Sequence, residues 1–117
     1  MPTQTPAMRA RFLVGGLLRQ YPTGKVGPDN LSQLITAFHH LANTVGGHYL
    51  ASLPENQPED TLVHAYWFND EGFDEAHVIL IYYQSTGRFE VGPLTSGTPP
   101  WLAQAVARAT TAAKRNP

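Results

Sequence analysis

Apolar residues are densest between Thr61 and Val91, and within that stretch the run Val78-Ile79-Leu80-Ile81-Tyr82-Tyr83 is the most apolar in the chain. β-Branched and aromatic residues crowd 61–68 and 76–84, which predicts a strand in each. Ser85-Thr86-Gly87 reads as a three-residue hairpin connection with glycine where positive φ is wanted, leading into a strand at 88–91. His48 to Leu53 predicts one more short strand, with Tyr49, Ala51 and Leu53 on one side.

Three other segments repeat apolar residues at helical spacing. Ala10, Leu13, Val14, Leu17, Leu18 and Tyr21 mark a helix over 6–20, opened by Thr5-Pro6 and closed by Tyr21-Pro22. Gly15-Gly16 sits badly in it, since two mid-helix glycines cost about 2 kcal/mol relative to alanine; either a neighbouring backbone packs closely there or the helix breaks. Leu31, Leu34, Ile35, Phe38, Leu41, Ala42 and Val45 mark a second helix over 30–45, with Asn30 and Gln33 at capping-box spacing and Gly46-Gly47 as its stop. On this wheel His40 points to solvent and His39 lies at the edge of the buried face. Thr98-Pro99 opens a third helix over 99–114, whose apolar face is Trp101, Leu102, Ala105, Val106, Ala109 and Ala113. The pattern predicts one α+β domain over 1–117, in two layers. A four-stranded antiparallel sheet (48–53, 61–68, 76–84, 88–91) carries its helices mainly on one face.

Turn geometry sets strand register, and register decides which side chains share a face. With Gln84 opposite Arg88, Tyr83 meets Phe89, Tyr82 meets Glu90 and Ile81 meets Val91; across the other hairpin Tyr66 meets Val78, His64 meets Leu80 and Leu62 meets Tyr82. One face is then Val63, Ala65, Trp67, Ile79, Ile81, Tyr83, Phe89 and Val91, apolar enough to be the covered side. The other combines Leu62, Val78, Leu80, Tyr66 and Tyr82 with His64, Gln84, Arg88 and Glu90. That mixture is too apolar for a solvated sheet face and suits a protein interface.

Charge sharpens the picture. The net charge of −1 conceals segregation: residues 1–28 hold Arg9, Arg11, Arg19 and Lys25 and no acid, whereas residues 29–87 hold eight acids and neither lysine nor arginine. Residues 88–117 return to Arg88, Arg108, Lys114 and Arg115 against Glu90. The absence of cysteine removes disulfides, thiol nucleophiles and cysteine-ligated metals. No apolar run approaches the roughly 20 residues of a membrane span, and Arg19 stands where a signal peptide would need a small-residue cleavage site, so the expected location is the cytoplasm.

Strong catalytic spacing is missing. Gly24-Lys25 lacks the other residues of a phosphate loop. His64 with Tyr82, Glu90 and Arg88 has the residue types of a general-base site but no spacing that demands one. His77 with Glu71, Asp74 or Glu75 falls short of a convincing metal set, and neighbouring histidines 39 and 40 project about 100° apart on a helix. An aromatic sheet for nucleic-acid stacking is opposed by the central acids. The expectation is therefore a small interaction module, of inhibitor, immunity or adaptor type, with no cofactor. Small bacterial immunity proteins share this logic of design, by analogy only. Its contacts are expected at His64, Tyr66, Tyr82, Arg88 and Glu90 on the mixed face, joined by Asp70, Glu71, Asp74 and Glu75 as electrostatic contacts to a partner with a basic surface. A homodimer through the same face is expected too, without membrane or nucleic acid. The competing reading is a small hydrolase or ligand-binding domain using His64 in a sheet-face pocket.

Overall fold

A computed structural model describes residues 6–50, 60–70, 74–94 and 97–115, with the side chains of 6, 7, 69, 70, 74, 75 and 114 outside the description. The order is α1 (Pro6–Gln20), a 3-10 turn (Pro28–Asn30), α2 (Leu31–Thr44), β1 (His48–Tyr49), β2 (Thr61–Asp70), β3 (Asp74–Tyr83), β4 (Phe89–Pro93) and α3 (Pro100–Arg115). The strands form one antiparallel sheet in the order β1-β2-β3-β4. The α+β class and its four antiparallel strands are thus as the sequence predicts, with β1 at His48–Tyr49 and residues 51–53 of the expected first strand outside the described residues.

The helices, however, lie on both faces. Leu62, Tyr66, Phe68, Val78, Leu80, Tyr82, Phe89 and Val91 pack with Ala10, Leu13 and Leu17 of α1 and Leu34, Phe38 and Ala42 of α2. On the other side Val63, Ala65, Trp67 and Ile79 pack with Leu102, Val106 and Ala109 of α3. The arrangement is helices, sheet, helix, not two layers with one bare face. β2 and β3 carry large apolar groups on both sides, and each side gains by leaving water at roughly 25 cal/mol per Å² of apolar surface. α3 meets its side through Leu102, Val106 and Ala109.

The two hairpins differ in how well they obey turn chemistry. β2 and β3 pair as expected, with Tyr66 opposite Val78, His64 opposite Leu80 and Leu62 opposite Tyr82. β3 and β4 are offset by one residue from expectation, so that Tyr82 meets Phe89, Ile81 meets Glu90 and Leu80 meets Val91. Asp60 holds the turn at this offset. Its carbonyl accepts the Gln84 amide at 2.8 Å, one rung beyond the Thr61–Tyr83 pair, and its carboxylate takes the Ser85 amide at 2.7 Å and the Ser85 hydroxyl at 2.8 Å. The β3–β4 loop closes on Tyr83 and Arg88, with Gly87 at φ 74°. Phe89 and Val91 join the α1/α2 side, while Glu90 and Gly92 move to the α3 side.

β4 is an edge strand, and its outward backbone groups are accounted for early on. The Phe89 amide donates to Gly24 at 3.0 Å, Lys25 bridges Arg88, and Pro93 has no amide to offer.

α1 and α2 run antiparallel: Gly16 lies beside Leu41 and Gly46 beside Arg9. α1 is continuous through Gly15-Gly16, and Asn30 makes no side-chain cap to α2. Neither glycine is demanded by packing. A Cβ at Gly16 would stand 3.7 Å from Leu41 Cδ1, and one at Gly15 would stand 3.9 Å from Arg19 Nη2, both ordinary contacts. At Gly47 it would meet Phe68 Cε1 at 2.9 Å and the Ala42 carbonyl oxygen at 3.0 Å. Chemical denaturation is expected to show Gly15→Ala raising stability by about 1 kcal/mol, and Gly47→Ala lowering it by about 1–3 kcal/mol. Equal effects at the two positions would contradict this packing.

Candidate functional site

The mixed sheet face is interior. Tyr66 and Tyr82 are each 2 % exposed, Leu62 is half-buried, and Val78 and Leu80 are buried beneath α1 and α2. Tyr82 donates its hydroxyl to the Val26 carbonyl at 3.2 Å, which fastens the connector between α1 and α2 to the sheet. Neither tyrosine offers a surface to a partner, and the expectation that they do is corrected here. The signal was sound, since a face carrying these groups does need covering, but α1 and α2 supply the cover.

The shifted register separates the remaining residues. Glu90 and His64 occupy opposite faces of the sheet, so His64, Tyr82, Glu90 and Arg88 do not converge as a general-base site. Arg88 and Glu90 are exposed and line a shallow hollow of about 290 Å³ with Asp60, Tyr83 and Thr86. Tyr83 donates to Glu90 Oε2 at 3.2 Å, and burial together with the Glu90 carboxylate raises its phenol pKa. Of the expected electrostatic contacts, Asp70 pairs with Asp74, and Glu75 with Asn69, at the end of the β2–β3 ladder. The side chains of Asp70, Asp74 and Glu75 and the whole of Glu71 lie outside the described residues, so that expectation meets no side-chain geometry. No group of three potential metal ligands occurs among the described residues.

His64 instead joins a cluster that sequence reasoning missed. His39 of α2, Tyr49 of β1, and His64 and Tyr66 of β2 gather at the sheet edge, with His39 edge-on to the other three rings. Ring centroids lie 5.0 Å apart for His39–Tyr49, 5.1 Å for His39–His64 and 5.2 Å for Tyr49–Tyr66. His39 Nδ1 is hydrogen-bonded to the Tyr66 hydroxyl, and His64 Nδ1 to the Tyr49 hydroxyl at 3.2 Å. Burial raises the Tyr66 pKa, Tyr49 adds to that, and a hydrogen bond from Asn43 opposes it. Burial lowers the pKa of His39, and that of His64 further because His39 stands beside it. A phenol held protonated and imidazoles held neutral, each bonded to the other kind, make a half-buried seam between α2 and the sheet, open to solvent at Tyr49. Placing His39 at the edge of the α2 face was legible in the sequence; its meeting with His64 depends on how the helix docks.

Across the sheet, Thr110 donates its hydroxyl to the Val106 carbonyl at 2.7 Å, so the 3.0 Å contact with His77 Nε2 requires that nitrogen to carry the proton. Burial lowers the His77 pKa as well.

A more open surface lies outside the sheet. On α1, Met8 is 52 % exposed, Phe12 57 % and Leu18 43 %, with Arg11 and Arg19 exposed among them. At 100° per residue these five occupy one arc, opposite the buried Ala10, Leu13 and Leu17. Leu18 was expected on the inward stripe; its exposure corrects that. Neither Arg11 nor Arg19 forms an ion pair with a described residue. Beside this arc a groove of about 460 Å³ runs between the helices, lined by Gln20 of α1 and Ser32, Gln33, Thr36, Ala37, His40 and Leu41 of α2. The signal in the sequence was Met8 and Phe12, two large apolar residues that fall off the inward stripe at a spacing of four.

No family model, no curated protein and no solved structure matches the chain. Among the described residues, no helix is long and apolar enough to cross a membrane.

The three lowered histidines set a pH dependence. The unfolded chain titrates near the ordinary value of 6.5, above the folded protein. The unfolded state therefore binds protons first as pH falls, and stability drops from about pH 7 downward. Urea midpoints are expected to decrease between about pH 7.5 and about pH 5, with the decrease smaller in His39→Gln. A flat profile in the native chain would contradict the buried, neutral assignment.

Proposed function

We propose that the protein is an interaction module that engages a protein partner through the outward arc of α1. One observation carries this reading: Met8, Phe12 and Leu18 stand exposed on a single helix face together with two arginines that no described residue pairs. Exposed apolar residues scattered singly are ordinary. Their concentration is not, because Met, aromatic residues and Arg are the types enriched in interfaces, and Lys, Glu and Asp the types depleted there. α1 contains neither lysine nor an acid.

The acids between residues 29 and 87 support a second, electrostatic part of the same reading, in which Asp70, Glu71, Asp74 and Glu75 steer a basic surface toward the protein. Composition alone supports that part, and a homodimer would need a surface other than the mixed sheet face, which α1 and α2 cover. An inhibitor, immunity or adaptor role describes how such contacts would be used, in the cytoplasm of the source cell.

A photo-crosslinking residue tests the face directly. Placed at Phe12, it is expected to give a discrete adduct in the source cells; placed at Thr111, exposed on α3, it is expected to give none. Absence of an adduct at Phe12, or equal labelling from both positions, would reject the α1 surface.

A further inference from the structure

We infer that the His39–Tyr66 and His64–Tyr49 pairs form an acid-sensitive latch, which holds α2 and β1 on the sheet while both imidazoles are neutral and lets α2 part from it once they are protonated. β2, β3 and α3 stay together in the opened form.

The hydrogen bonds at Tyr66 fix the direction of the first pair. Tyr66 is buried, and its oxygen accepts a hydrogen bond from Asn43. Its own proton is then left for His39 Nδ1, which accepts it. A proton added at that nitrogen sets donor against donor and leaves a buried hydroxyl hydrogen without an acceptor. The second pair stands close by. The His39 and His64 ring centroids are 5.1 Å apart, so two charged rings would repel each other.

No described carboxylate faces the two rings to offset that charge. α2 contains no Asp or Glu; it brings Asn43, while His40 is exposed. β1 brings Tyr49, and its His48 stacks on Trp67 at the opposite face. β3 sets only Leu80 and Val78 opposite His64 and Tyr66. α1 brings Arg9, whose guanidinium lies beside Gly46 at the end of α2 and adds positive charge. Burial already lowers the pKa of both imidazoles, and His39 lowers that of His64 further.

The latch sits where α2 meets the sheet. Phe38 packs edge-on to Tyr66 at 5.5 Å, and His39 bonds to the same tyrosine. The fastening of α3 differs, because His77 Nε2 already donates to Thr110, a bond that neutral and charged imidazole make alike. In the open form both latch imidazoles stand in water and take protons first as pH falls. The closed form is therefore favoured above about pH 7 and loses ground below it.

Amide hydrogen exchange of the full chain at about pH 7.5 and about pH 5 tests the latch, with protection corrected for the intrinsic rate at each pH. Protection in α2 is expected to fall about tenfold relative to α3, the effect of one pKa unit in one group. Tyr66→Phe, which removes the hydroxyl that needs an acceptor, and His39→Gln, which does not titrate, are each expected to shrink that difference. If either variant folds poorly, the ring-proton shifts of the native chain decide. His39 and His64 are expected to titrate below the ordinary value of 6.5, in two separate steps, with the α2 amides shifting alongside. Equal loss of protection in α2 and α3 would overturn the latch. So would titration of both rings at the ordinary value, or an α2 loss undiminished in both variants.

Discussion

Two central strands with large apolar side chains on both of their faces impose the rest of this architecture. Val78, Leu80, Tyr82 and Tyr66 point one way, and Ile79, Val63, Ala65 and Trp67 the other. A sheet of that kind is unstable with either side in water, so helices are required above and below. Three helices are available, and their widths decide the division. The α1–α2 pair spans one face out to Phe89 and Val91. The single alanine-rich α3 covers the middle of the other and leaves Ile81, Trp101 and Leu94 half-buried. The cavity of about 240 Å³ between β3, β4 and the start of α3 is what one helix cannot reach.

The polar groups taken into this interior are each given a role in joining layers. Tyr82 ties the sheet to Val26, His39 ties α2 to Tyr66, and His77 ties β3 to Thr110 of α3. Buried polar groups without partners cost about 1–3 kcal/mol each, so these bonds specify how each helix sits on the sheet as well as adding to its stability. Tyrosine and histidine suit such seams because a ring fills the core while a single polar atom reaches across it. The same chemistry that resembles an acid–base site in a list of residues is here a fastening, since the phenols and imidazoles are bonded to one another.

Most of the secondary structure was legible because it rests on local chemistry. The limits of all three helices follow from periodicity and proline, and the β2–β3 register follows from alternation across a hairpin with matched faces. What escaped the sequence was non-local. Asp60 lies 24 residues before Gln84, yet its three hydrogen bonds hold the turn in which the β3–β4 pairing is offset by one step, with Glu90 on the opposite face. No turn rule contains that contact. The mixed face was correctly seen to need a cover, but the glycine pair in α1 made that helix look a poor candidate to provide it. The structure accommodates Gly15 and Gly16 in an unbroken helix, with room at both for a side chain.

That spare room bears on α1 as a whole. A helix that serves only to cover a sheet has an apolar stripe and a polar back, and selection on stability alone would place alanine or lysine where Gly15, Met8 and Phe12 stand. α1 is apolar around much of its circumference, as helices with neighbours on every side are. Among the described residues, α1 packs against the core through Ala10, Leu13 and Leu17. On the other side, small Gly15 lies between the projecting Phe12 and Leu18, an uneven relief that packs better against another helix than against water. Packing against the sheet accounts for the inward half of this helix, and the proposed docking surface is its outward half.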